Sequence, residues 1–164
     1  LTEVFDERFD CVVCLGNSLN HELRERGILS ALRSMHAILR PEGVTVIQIR
    51  NLPKLVKEKT RIFPIHFHIE LNGDRKLFIC VLDFHRSTVT FNIVSFLEFN
   101  EKPEFGVNSV DYRIISAQKL ITLMNQAGFK ELKTYGDFEL AEFHENRSED
   151  IIAVGTKQHS STAA

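Results

Sequence analysis

Phe9-Asp10-Cys11-Val12-Val13-Cys14-Leu15-Gly16-Asn17-Ser18 is the stretch that decides the fold. From Phe9 to Leu15 it is nearly continuous in apolar residues, as expected of a strand covered on both faces. Gly16-Asn17-Ser18 then suits a tight turn and the capping of a helix start. From Leu23 onward the period changes. Ile28, Leu29, Leu32, Met35, His36 and Leu39 fall at helical spacing and form one apolar stripe. Arg40-Pro41-Glu42-Gly43 stops that helix, since proline and glycine both break it. Val44 to Ile49 is a second β-branched run. The order strand, helix, strand is a βαβ unit, which calls for a parallel sheet.

The next segment has a different character. Phe63, Ile65, Phe67, Ile69 and Leu71 alternate with Pro64, His66, His68 and Glu70, and Asn72-Gly73-Asp74 supplies a turn. Phe78, Cys80, Leu82 and Phe84 alternate in a second strand. Thr88 to Phe99 reads as a third, with a slip in alternation around Val94 that points to a bulge. These are antiparallel hairpins with one dry face, set into the parallel fold. A loop is expected from Glu101 to Ser109. Helical spacing returns at Leu120, Leu123, Met124 and Ala127, with Ser116 as N-cap and Gly128 as the C-terminal stop. Phe129 to Tyr135 and Ile151 to Thr156 read as two closing strands, and His159 to Ala164 as a frayed tail.

Composition narrows the class. With 164 residues, 43% apolar and 26% charged, the chain suits one globular domain. Twenty basic against 22 acidic residues, a formal net charge of −2, offer no footprint for a phosphate backbone, so no nucleic-acid partner is expected. No apolar run reaches the ~20 residues that span a bilayer, and no membrane partner is expected. Three cysteines cannot all pair. Cys11 and Cys14, three apart on a strand, point to opposite faces and read as structural thiols in a reducing, cytoplasmic setting. The chain opens on Leu1 instead of methionine, which leads us to expect a start inside a longer gene product.

Five short motifs, taken in order, carry a resemblance. They are Phe9-Asp10 opening a strand; Leu15-Gly16-Asn17-Ser18 with His21 three residues on; Leu39-Arg40-Pro41-Glu42-Gly43 before a strand ending in Arg50-Asn51; Tyr112-Arg113 with Ser116 leading to Ala127-Gly128-Phe129; and Tyr135-Gly136-Asp137-Phe138. Together they resemble the carboxyl-terminal half of class I S-adenosylmethionine-dependent methyltransferases, and most of all the glycine N-methyltransferase-like group of small-molecule enzymes. No single motif is specific. Glu42 stands where glycine is usual, and Glu22 where leucine is common.

The resemblance implies an α/β fold: the carboxyl-terminal half of a Rossmann-like doubly wound sheet, mostly parallel with an antiparallel last hairpin. Residues 1–61 and 109–164 would form that core. Residues 62–108 would form an inserted antiparallel sheet, serving as lid, acceptor-specificity region or dimer surface. It implies S-adenosylmethionine as cofactor, contacted by Leu15, Gly16, Asn17, Ser18 and His21. Arg113 would bind the acceptor carboxylate, with Arg50 and Asn51 at the mouth of the same site. Methyl transfer from a sulfonium needs positioning and exclusion of water more than acid–base groups, so no catalytic residue is singled out. The acceptor would be a small molecule, an amine by likeness. The glycine-rich first turn of the family is missing, since the eight glycines are scattered. Three βα units at about 30 residues each would supply it, from the same gene or a partner chain. The first strand would then lie at a sheet edge, and this chain alone would bind the cofactor weakly or not at all.

Two other readings compete. His66-x-His68 with Asp83-x-His85 on the next strand could bind zinc or iron if the hairpin aligned them, giving a metal- or ligand-binding β module; polar alternation accounts for the same residues, and no metal site is assigned. The alternative is a catalytically inactive methyltransferase-like subunit.

Overall fold

A computed structural model describes residues 7–63, 66–69, 75–99 and 102–158. The βαβ unit forms as its spacing requires. β1 (Phe9–Cys14) runs parallel to β2 (Leu39–Arg50), with Val12 opposite Thr45 and Val13 opposite Val46. Between them α1 (Glu25–Ile38) lays Ile28, Leu32 and Met35 into the core. There they meet Ile47 and Ile49 of β2 and Leu120, Leu123 and Met124 of α3 (Ala117–Ala127). Each such fully buried side chain contributes about 1.5–3 kcal/mol. The remaining strands of this sheet, β7 (Lys130–Tyr135) and β8 (Asp150–Thr156), are an antiparallel hairpin, and the sheet order is β1-β2-β8-β7.

β1 departs from expectation. Val12 and Cys14 pack on the core, but Val13 is 58% exposed and Cys11 is exposed too. β1 is an edge strand with one covered face. Its continuous apolar run says that both faces suit burial, not that both are buried among the described residues. The two thiols do lie on opposite faces, as their spacing demands.

The helix start also differs. Gly16 (φ 67) and Asn17 (φ 64) are both left-handed, and Asn17 makes no cap with its side chain. A 3-10 turn (Ser18–His21) follows, and α1 begins only at Glu25. At its far end α1 stops at Ile38, ahead of the Arg-Pro-Glu-Gly run. That run instead disturbs the β1–β2 register between Phe9/Leu39 and Cys11/Val44.

A short helix, α2 (Leu52–Glu58), follows β2 with Pro53 in its first turn. It leads to a second sheet, wholly antiparallel, of order β3-β4-β5-β6: β3 (His66–Ile69), β4 (Arg75–Phe84), β5 (Thr88–Phe99) and β6 (Lys102–Arg113). The Asn72-Gly73-Asp74 turn and the tail from His159 lie outside the described residues. Two expectations fail here. The supposed Glu101–Ser109 loop is mostly strand, because β6 pairs with β5 along an unbroken register from Phe99 opposite Lys102 to Thr88 opposite Arg113. No bulge interrupts β5 at Val94, which faces Ile79 and Val107. Alternation is lost at Val94 because both faces of β5 carry apolar residues. Phe91 packs toward α2, with Leu82, Val89 and Tyr112 against Leu52 and Leu55, while Phe96 sits on the opposite face, 42% exposed.

Candidate active site

The carboxyl ends of β1 and β2 are joined by two bonds between the turn and the neighbouring strand. The Gly16 N–H donates to Gln48 Oε1 at 2.8 Å, and the Arg50 N–H donates to Asn17 Oδ1 at 2.6 Å. Within the turn, the Ser18 hydroxyl donates to the Leu15 carbonyl at 2.6 Å. The Gly16-Asn17 sequence is what makes this shape affordable, since glycine and asparagine are the residues that tolerate a left-handed backbone. A Cβ placed on Gly16 would meet nothing within 4 Å, so the outer side of the turn is open to close approach. Beside it a cleft of about 480 Å³ is lined by Cys14, Ser18, His21 and Met35. Burial raises the Cys14 thiol pKa, against a lowering hydrogen bond with the Leu19 backbone. That direction suits a packed thiol and not a nucleophile.

The end of β6 meets the same turn. The Asn20 amide donates to the Arg113 carbonyl at 2.7 Å, and the His21 ring meets the Tyr112 ring edge-on at 4.6 Å between centroids. Burial is the larger cause that raises the Tyr112 hydroxyl pKa, with Cys80 adding to it. Arg50 lies with its guanidinium 5.3 Å from the Phe63 ring centre and 3.8 Å from Glu149. Leu15, Gly16, Asn17, Ser18 and His21 therefore lie together with the backbone of Arg50 and the backbone of Arg113. Asn51 is set apart. It is 1% exposed, and its amide donates to the carbonyls of Glu145 (2.8 Å) and Ser148 (2.9 Å), anchoring that loop. Its oxygen has no partner among the described residues, and it lines a separate cavity of about 330 Å³ with Ser116, Gln118, Thr134 and Phe143.

Two contributors were not singled out from sequence. Gln48 is a polar residue inside the apolar run of β2, a pattern that signals a buried polar partner. Asn20 carries no such signal, because its partner lies 93 positions away.

The hairpin does not align the histidines and the carboxylate. His68 faces Lys76 and His66 faces Phe78, whereas Asp83 faces Thr90 on the other side of β4. Asp83 lies seven positions beyond Lys76 along β4, about 24 Å at ~3.4 Å per residue. Asp83 is instead bonded by Arg61 (2.6 Å) and Asn92 (2.9 Å), and His85 by Thr90 (3.0 Å). The metal reading fails on register.

No family model matches the chain. Over 158 residues it is 25% identical to a glycine/sarcosine N-methyltransferase of Aphanothece halophytica, covering 96% of this chain and 55% of that protein. It is 26% identical to a glycine/sarcosine/dimethylglycine N-methyltransferase of Actinopolyspora halophila, covering 92% of this chain and 25% of the other. Among solved structures, an S-adenosylmethionine-dependent methyltransferase from Clostridium acetobutylicum superposes with a TM-score of 0.75 at 12% identity, over 96% of this chain and 62% of that one. The sugar N-methyltransferase KedS8 from Streptoalloteichus gives 0.74 at 16% identity, over 96% and 59%. The fold is that of S-adenosylmethionine-dependent methyltransferases. The resemblance to the class I family stands in both sequence and fold. The chain spans about half the length of the first curated relatives it matches. No helix among the described residues is long and apolar enough to cross a membrane.

Proposed function

We propose that the full-length protein transfers a methyl group from S-adenosylmethionine to the amine nitrogen of a small, carboxylate-bearing acceptor. Glycine and sarcosine, named in its relatives, are the first candidates. The observation that carries this reading is the meeting of the Leu15–Ser18 turn, Arg50 and the Tyr112-Arg113 end of β6 at the carboxyl ends of a parallel strand pair. Crevices of that kind are where α/β sheets bind ligands.

The turn fits the cofactor. Gly16, left-handed and with open space where a Cβ would stand, lets a ligand approach the backbone closely. Leu15 and His21 flank that approach, while the Asn17 oxygen and Ser18 hydroxyl are spent on holding the turn's shape. When bound, the cofactor supplies a methyl carbon already activated by its sulfonium. The chain's own residues hold the acceptor in line and keep water away. Arg113 offers a two-pronged guanidinium to the acceptor carboxylate. Arg50, braced by Phe63 and Glu149, keeps a positive charge at the mouth. Asn51 acts at one remove, through the 145–148 loop it anchors.

In this reading residues 1–61 and 109–164 hold the carboxyl-terminal half of a Rossmann-like doubly wound sheet, and 62–108 an inserted acceptor-specificity region whose last strand, β6, continues to Arg113. The open edge of β1, with Val13 exposed, is where the glycine-rich half adds its strands, from the same gene or from a partner chain. The setting is the cytoplasm. The outer face of the second sheet takes a second copy of the chain. Phe67, Leu77, Phe96 and Phe105 lie in one row across all four strands, on the face turned away from α2. Strands of 4, 10, 12 and 12 residues, spaced ~4.8 Å apart with ~3.4 Å per residue, give a face of roughly 600 Å², three quarters of the ~800 Å² each partner gives to a standard interface.

A radiolabel transfer assay on the full-length protein tests the function. Methyl transfer to glycine or sarcosine is expected, with KM for the acceptor raised about 10- to 100-fold in Arg113→Lys, where one prong of a charged bond is lost. A folded protein that binds the cofactor but methylates no small amine would leave the inactive-subunit reading standing instead.

A further inference from the structure

We infer that Lys54 is a positioning residue that holds the Glu149 carboxylate off Arg50, so that the Arg50 guanidinium stays available to a carboxylate-bearing acceptor; the inference rests on the reading of Arg50 given above. Lys54 lies in the first turn of α2, just past the end of β2. Its amine pairs with Glu149 Oε1 and donates to the Arg147 carbonyl at 3.2 Å. That pairing raises the Lys54 pKa above its ordinary value, against burial; the charges of Glu149 and Glu58 add to the rise, and that of Arg50 opposes it. Arg50 Nη1 is 3.8 Å from Oε2 of the same Glu149 carboxylate, an ionic contact beyond hydrogen-bond length. Two cations thus share one carboxylate, and the lysine holds it.

Arg50 is fixed by other means. Its backbone N–H is bonded to Asn17 of the turn, and its guanidinium lies 5.3 Å from the Phe63 ring centre. A ring attracts a cation without neutralising it. Phe63 stacks on Phe91 at 6.0 Å, Phe91 meets Tyr112 edge-on at 4.8 Å, and Tyr112 meets His21 of the turn. The guanidinium therefore ends a row of rings that begins at the turn, and its side chain is 32% exposed, open to a ligand. The backbone of the neighbouring loop does not depend on Lys54. Asn51 donates from its amide to the Glu145 and Ser148 carbonyls and from its N–H to that of Glu149, and Lys57 is bonded to Asn146 Oδ1 at 2.6 Å. Loss of the Lys54 amine frees the exposed Glu149 side chain, and the cation already beside it is Arg50. A carboxylate and a guanidinium close on each other as a two-pronged pair. Glu149 would then occupy the donors that an acceptor carboxylate needs.

The test is steady-state kinetics of glycine and sarcosine methylation by the full-length protein. Lys54→Met is expected to raise the acceptor KM about fivefold and to change kcat less than about twofold, as loss of acceptor binding requires. Lys54→Gln serves if the methionine variant does not fold. Lys54→Arg keeps the charge and the hold on Glu149, and its KM is expected within about twofold of wild type. Glu149→Gln added to Lys54→Met should recover most of the loss, whereas by itself it should lower KM less than about twofold, because coupled residues are not additive. A mere loss of positive charge at the mouth would instead give Glu149→Gln the same effect in both backgrounds. Asp150, opposite Arg50 on β8, is present in every variant and cancels from the comparison. Equal Glu149→Gln effects in the two backgrounds, a fall in kcat at constant KM, or an unchanged KM in Lys54→Met would overturn the inference while leaving the proposed reaction intact. Wild-type protein that binds S-adenosylhomocysteine but methylates neither amine would remove the acceptor reading of Arg50, and this inference with it.

Discussion

Asn17 illustrates how the place of a side chain can be read from sequence while its long-range bond stays hidden. Glycine followed by asparagine at a strand end marks a turn, and both residues are left-handed as that composition permits. Sequence assigned the amide to the cofactor. The structure commits its oxygen to the Arg50 N–H, 33 positions away, a pairing that no local pattern encodes. Asn17→Ala should therefore destabilise the fold by about 2–4 kcal/mol, combining a left-handed alanine with a part-buried N–H left without its acceptor. Asn17→Gly removes the same acceptor but relieves the strain, and urea denaturation should place it between alanine and wild type. Alanine and glycine variants of equal stability would show that backbone strain at this position is negligible.

At the level of elements, legibility followed the length and one-sidedness of the apolar pattern. α1 and α3 were evident because each repeats its period against a single buried face, and β8 because its unbroken apolar run is buried on both faces. α2 was missed, its seven residues being too few to display helical spacing. β6 was missed because Pro103, Gly106 and several polar residues hide a strand that owes its existence to pairing with β5. Contacts between elements add chemistry that no single element reveals. His36 of α1 packs edge-on against Phe129 and lies against Gly128, while Lys157 donates from its amine to the carbonyls of His36, Ala37 and Leu39. Burial, then the charge of Lys157, lower the His36 pKa below its ordinary 6.5, against a raising hydrogen bond at Gly128. The unfolded chain thus takes up a proton first. The stability from this histidine is present above pH ~6.5 and lost as pH falls through the lower folded value. Urea midpoints should drop between about pH 7.5 and 5.5, and His36→Gln should lessen that drop. An unchanged pH dependence in the variant would mean that His36 titrates alike in both states.

For the whole molecule, the fold class was legible from one βαβ unit, whereas the extent of each sheet was not. Whether an apolar strand face is covered depends on what else is present, and Val13 and Phe105 carry no sign of that in their own neighbourhoods. Both lie exposed, on the edge of the first sheet and on the outer face of the second. The proposed self-association places the second of these faces between two copies. Sedimentation of the full-length protein should give a dimer, and Phe105→Lys should shift it to monomer by putting a charge into the apolar row; a monomeric wild type would discard that arrangement. The central claim is that the Leu15–Ser18 turn forms one wall of an S-adenosylmethionine site. It is tested most directly by titrating S-adenosylhomocysteine into the full-length protein and its Gly16→Val variant, with circular dichroism to verify folding of both. The account predicts saturable one-site binding by the wild type, weakened tenfold or more by the valine. Absence of binding by the folded wild type, or equal binding by the valine variant, would contradict it.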